Sequence, residues 1–111
     1  MFASLVLAAA LYDPHTGAKT FDRGLLSTPL HGDVTLAARA WALSRRGELG
    51  LPPDSDLVVA RTFGTRFGAS IHLEQRLDGV EVYGANAVVT VDDQARVVLF
   101  TSSLVTYREA R

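Results

Sequence analysis

The sequence predicts an α+β fold in which one helix lies on an antiparallel sheet. Three observations carry that expectation: period-two alternation from Ser70 to Leu77, the Asp78-Gly79 pair that follows it, and one helical stretch bounded by Asp33 and Pro52-Pro53. Ile71, Leu73 and Leu77 point one way, and Ser70, His72, Glu74 and Arg76 the other. Strand side chains alternate faces, so one face of this strand is buried and the other wet. Gln75 falls on the apolar face. An unpaired buried amide costs about 1–3 kcal/mol, so its partners are expected in backbone or a facing polar residue.

Asp78-Gly79 tolerates positive φ at both positions and suits a two-residue hairpin turn. A second apolar run spans Val80 to Val91, with Ala85, Ala87, Val89 and Val91 on one face. Gly84 interrupts it, which marks a bulge or a close backbone approach. Asp92 to Ala95 reads as the next turn, and Val97 to Phe100 as a third strand.

Upstream, Asp33 is the expected N-cap of the helix. Leu36, Ala37, Ala40, Trp41, Leu43 and Ser44 fall along one side, and Arg39, Arg45 and Arg46 along the other. Gly47 or Gly50 ends it, and the prolines forbid continuation. Trp41 reads as a core anchor. The three arginines read as a solvated face, in preference to a phosphate patch. Leu57 to Phe63 forms another strand, and Gly64 to Gly68 a loop.

Phe2 to Leu11 is apolar, and two readings stand: a buried strand, which is favoured, and the h-region of a signal peptide. About ten apolar residues are too few to span a bilayer. Tyr12 to Gly17 reads as a turn, with Ala18 to Phe21 the return strand and Arg23 to Gly32 a polar connector. The expected organisation is therefore residues 1–32 as strand, turn and connector, 33–104 as helix plus sheet, and 105–111 as a C-terminal tail.

At 111 residues the chain holds one core. Its composition, 48% hydrophobic and 21% charged, is that of an ordinary globular protein. A net charge of -1 argues against nucleic acid as a partner. There is no cysteine, hence no disulfide and no thiolate nucleophile. No run places two histidines on one helix face, and His15, His31 and His72 sit in a turn, a connector and a strand. Asp92-Asp93 lacks the spaced oxygen ligands of a calcium loop. Gly64 to Gly68 lacks the lysine of a phosphate loop, and no serine has a GxSxG context. The chain is expected to be no enzyme and to carry no metal or cofactor.

The run Gln75-Arg76-Leu77-Asp78-Gly79-Val80-Glu81-Val82-Tyr83-Gly84, followed by alternation from Val88 to Asp92, resembles the signature of the fungalysin/thermolysin propeptide (FTP) domain. That family usually has a glycine before its last strand, where Gln94 or Ala95 stands here. Ala37 to Leu51 is similar to the family's helix, and Tyr12 to Phe21 to a turn and strand of some longer members. The resemblance implies a propeptide module of a secreted zinc metallopeptidase, acting on the catalytic domain in cis or in trans as inhibitor and folding chaperone. It also implies a secreted or extracytoplasmic location.

A stand-alone binding module for another extracellular or envelope protein is the alternative. A small enzyme of cystatin-like α+β layer, with a pocket beside Trp41 and Gln75, is a third reading. If the hairpin meets the partner, the wet-face residues His72, Glu74, Arg76 and Glu81 are the contact candidates, with Tyr83 and Asn86 near the bulge. For Tyr83, core packing is the equal alternative. Gln75, Asp78, Gly79, Gly84 and Trp41 are expected to be structural.

Overall fold

A computed structural model describes residues 9–12, 14 and 19–105. The elements are β1 (Ala9–Tyr12), β2 (Lys19–Arg23), α1 (Val34–Leu43), α2 (Arg46–Leu49), β3 (Ser55–Thr65), β4 (Gly68–Leu77), β5 (Val80–Asp92) and β6 (Val97–Ser102). The six strands form one antiparallel sheet in the order β1-β2-β6-β5-β4-β3. Both helices lie on one of its faces. The core between them is built from Ala38, Ala42, Leu49, Leu57, Ile71, Leu73, Ala87, Val89, Val97 and Phe100.

The alternation read from β4 and β5 is the alternation observed. Ile71 and Leu73 are buried, as are Ala85, Ala87, Val89 and Val91 across from them. Asp78 and Gly79 both have positive φ, 50° and 79°, which is the backbone of a type I′ turn. At the β3–β4 connection the expected five-residue loop is absent. The strands run on to Thr65 and from Gly68, with a two-residue turn between. A Cβ on Gly68 would sit 2.0 Å from the Val91 carbonyl oxygen, so only glycine lets β4 start this close to β5.

The helix departs from expectation in length and in facing. Asp33 caps it, its carboxylate accepting from Thr35 N–H at 2.9 Å. It stops at Leu43, and a separate short turn of helix ends at Gly50, which has φ 66°. Ala38 and Ala42 face the sheet, whereas Leu36 is 62% exposed and Ala40 and Ser44 are exposed. Reading the stripe from the larger Leu36 misplaces it, because two alanines let the helix lie close and the leucine falls outside the contact.

The arginines are not a free solvated face either. Arg39 donates to the Leu57 carbonyl and pairs with Asp56. Arg46 donates to the Ser55 carbonyl at 3.3 Å. Arg45 donates to Leu26 O at 3.2 Å and lies 4.9 Å over the Trp41 ring.

The polar connector is also tied down. Gly24 and Leu26 N–H groups donate to Val98 and Val97 carbonyls, continuing the ladder begun by β2 on β6. Residues 1–8 of the apolar N-terminal run, Asp13 and residues 15–18 of the first turn, and residues 106–111 of the tail lie outside the described residues.

At the β5–β6 turn, Asp92 Oδ1 accepts from Gln94 and Arg96 N–H, and Oδ2 from Arg96 Nε at 2.8 Å. Burial pushes this carboxyl up. The hydrogen bonds and the Arg96 charge together outweigh it and hold the group below its ordinary value.

Candidate functional site

The sheet face away from the helices carries no covering element among the described residues. On β4 it displays Ser70, His72, Glu74 and Arg76, half-buried by their neighbours. Pairing with β5 sets Glu74 opposite Asn86 and Arg76 opposite Glu81, and pairing with β3 sets Arg61 opposite His72. Five of the six contact candidates, His72, Glu74, Arg76, Glu81 and Asn86, therefore share one patch.

The sixth, Tyr83, stands on a bulge at the patch's rim. Between the Glu74–Asn86 and Arg76–Glu81 pairs, Gln75 alone faces residues 82–85. The excess is absorbed by Gly84 at φ 74°, with open space where its Cβ would be. Ala85 turns in and is buried, and Tyr83 turns out and is 98% exposed. The bulge is fastened from behind: Ser103 N–H donates to Asn86 O at 2.8 Å, and Ser103 Oγ to Gly84 O at 3.3 Å.

Gln75 is fully buried beneath the same bulge. Its Nε2 donates to Val105 O at 2.9 Å and Ser55 Oγ at 3.2 Å, and its Oε1 accepts from Val105 N–H at 2.7 Å. Trp41 meets Phe100 edge-on at 5.7 Å, and its Nε1 is buried without a partner. Around it Asp22, Arg45, Glu48 and Leu49 line a cleft with room for about one water. Gln75 takes no part in that cleft.

His72 stacks edge-on against Phe63 at 5.1 Å, and His31 is exposed in the connector. His15 lies outside the described residues. Among the described residues no three metal-ligating side chains converge. No helix among them is long and apolar enough to cross a membrane.

Sequence reasoning missed the aromatic end of the β3–β4 hairpin. Phe63 and Phe67 are 46% and 73% exposed, and Arg61 lies 5.5 Å over the Phe63 ring. The available signal was the run Leu57 to Leu73, which contains Arg61, Arg66 and His72 but no acidic residue.

Fold and face together define a small α+β domain with one sheet face left uncovered among the described residues. Residues 55–104, from the first residue of β3 to just past β6, match the family model of the Fungalysin/Thermolysin Propeptide Motif, FTP. The motif belongs to the propeptides of peptidase precursors and is not a catalytic domain. No curated protein and no solved structure matches the chain.

Proposed function

We propose that this chain is an inhibitory and chaperoning propeptide module that acts on a secreted zinc metallopeptidase, in cis or in trans, outside the cytoplasm. The observation that supports it most is the open patch of His72, Glu74, Arg76, Glu81 and Asn86, with Tyr83 held out at its rim, inside the FTP motif. Tyrosine offers a large apolar body with a polar tip, which suits the centre of an interface. A module that binds the folded peptidase and not its unfolded chain stabilises the folded state by mass action. At a concentration a hundredfold above Kd that is about 2.7 kcal/mol. The same contact blocks the cleft if it spans it.

The test mixes the purified chain with a panel of thermolysin-like metallopeptidases, the cognate enzyme included, and follows peptide hydrolysis. Inhibition that Tyr83→Ala weakens tenfold or more supports both the role and the surface. No inhibition of any member, the cognate enzyme among them, removes the role and leaves the stand-alone binding module.

A further inference from the structure

β3 is one of the two edges of the sheet, and an open edge is a template for pairing that proteins usually cover. Its first half is covered. Arg46 holds the Ser55 carbonyl, Arg39 the Leu57 carbonyl, and Asp56 Oδ1 accepts from Leu57 N–H at 2.8 Å. In an antiparallel pair the N–H and C=O of one residue point to the same side, and sides alternate along the strand. Ser55 and Leu57 thus turn outward.

The extra residue at Ala60, where the register slips between Val59 and Arg61, changes the phase. Beyond it Thr62 and Gly64 are the outward positions, and among the described residues no side chain covers their backbone groups. The edge is therefore capped at one end and open at the other.

The open half has a floor on each side. Phe63 projects on the sheet's free face, with Arg61 over it. On the helix side Thr35 meets Thr62 hydroxyl to hydroxyl at 3.2 Å, and the next residue is the exposed Leu36. The surroundings are basic, with Arg61 and Arg66 and no acidic residue from Leu57 to Leu73. The carboxylates at its borders are engaged: Asp33 caps α1, Asp56 pairs with Arg39, and Asp92 with Arg96.

We propose that this open half, residues 60–65, takes up an extended segment of the peptidase that combines acidic and apolar side chains, adding it to the sheet as a further strand. Its backbone pairs with Thr62 and Gly64, its apolar side chains lie on the helix side against Leu36, and its carboxylates, on the free face, meet Arg61 beside Phe63 and Arg66 at the turn. That the segment belongs to a peptidase rests on the propeptide reading, whereas strand addition at this edge does not.

The probe is an end-blocked octapeptide alternating glutamate with valine, titrated into the 15N-labelled chain. The expected result is amide shifts centred on Thr62 and Gly64, with exchange of those amides slowed tenfold or more. A peptide with lysine in place of glutamate should bind at least tenfold more weakly. Thr62→Pro removes an outward N–H but no bond to β4, so it should keep the fold and lose the peptide. Arg61→Glu with Arg66→Glu should reverse the preference toward the lysine peptide, and this decides the matter if Thr62→Pro does not fold.

No binding of the glutamate peptide, shifts centred on residues 81–86 instead, or an unreversed preference overturns the proposal. Inhibition of a peptidase by folded Thr62→Pro as strongly as by the parent overturns it while leaving the propeptide reading standing. Strand addition with no peptidase inhibited does the opposite.

Discussion

Gln75 and Val105, thirty residues apart, are joined as two strands would be, with a side-chain amide taking the place of one backbone. The backbone N–H and C=O of Val105 are both satisfied by one buried glutamine, whose other partner among the described residues is Ser55.

Gln75→Leu should therefore lower stability by about 1–3 kcal/mol, because it leaves the half-buried Val105 groups and the buried Ser55 hydroxyl without this partner. Thermal melting by circular dichroism reads the loss. Peptidase inhibition measured well below the melting temperature should stay within about threefold of the parent. An unchanged melting temperature with weakened inhibition would place Gln75 in the contact itself.

Ala95 sits at φ 60°, in the left-handed region that favours glycine. A non-glycine residue there costs about 1–2 kcal/mol, partly offset by the added freedom of a glycine in the unfolded chain. Ala95→Gly should raise stability by about 0.5–1 kcal/mol in urea denaturation. Lower stability would mean that the turn changes type when the side chain is lost.

Gly68→Ala is the opposite case. The new methyl would meet the Val91 carbonyl at 2.0 Å, and β4 would have to part from β5 to admit it. A loss of about 3 kcal/mol or more is expected. A folded variant with the parent's melting temperature would refute this close approach.

Asp92 gives the chain an acid-sensitive turn. Its folded pKa lies below the ordinary 3.8, so it adds stability above that value, and the contribution is lost as pH falls through the folded pKa. The gap in melting temperature between the parent and Asp92→Asn should be constant above about pH 5 and narrow steadily below it. A gap that does not change between pH 5 and pH 2 would mean that the Arg96 contact is not made in solution.

Arg39→Met uncovers the capped half of β3. Its pairing with Asp56 is partly exposed, so the direct loss of stability should be about 1 kcal/mol or less. The larger effect is expected in self-association, since the Leu57 carbonyl on a sheet edge becomes free to pair. Light scattering against concentration measures it. A variant that remains as monodisperse as the parent would show that Arg39 does not guard the edge.

The sheet was legible in the sequence where one face is buried and the other wet. Ile71, Leu73, Ala87 and Val89 mark their own strands because burial on one side leaves a period of two. Asp78-Gly79 identified its turn because few other pairs accept that backbone. The helix face was misread since Ala38 and Ala42 carry little hydrophobic weight, although small size is what brings them to the sheet. The arginine contacts of β3 were hidden for another reason. They join residues nine to eighteen positions apart, and no local spacing encodes which carbonyl a long side chain will reach. The tight turn at Arg66-Phe67 was obscured by two flanking glycines that resemble a loop.

The neighbours of β6 set a timetable. The β1–β2 hairpin and the β3–β4–β5 meander share no ladder of their own, and the strand that joins them is the last of the six to be synthesised. Phe21 waits eighty residues for Thr101. Sheets closed by such distant pairings fold on the millisecond-to-second scale, not in microseconds. A chain acting as chaperone on a peptidase translated behind it would thus complete its own sheet only after β6 emerges. Any slowing at this step, from a weakened β6 or a strained turn at Ala95, would delay the template before it touched its client.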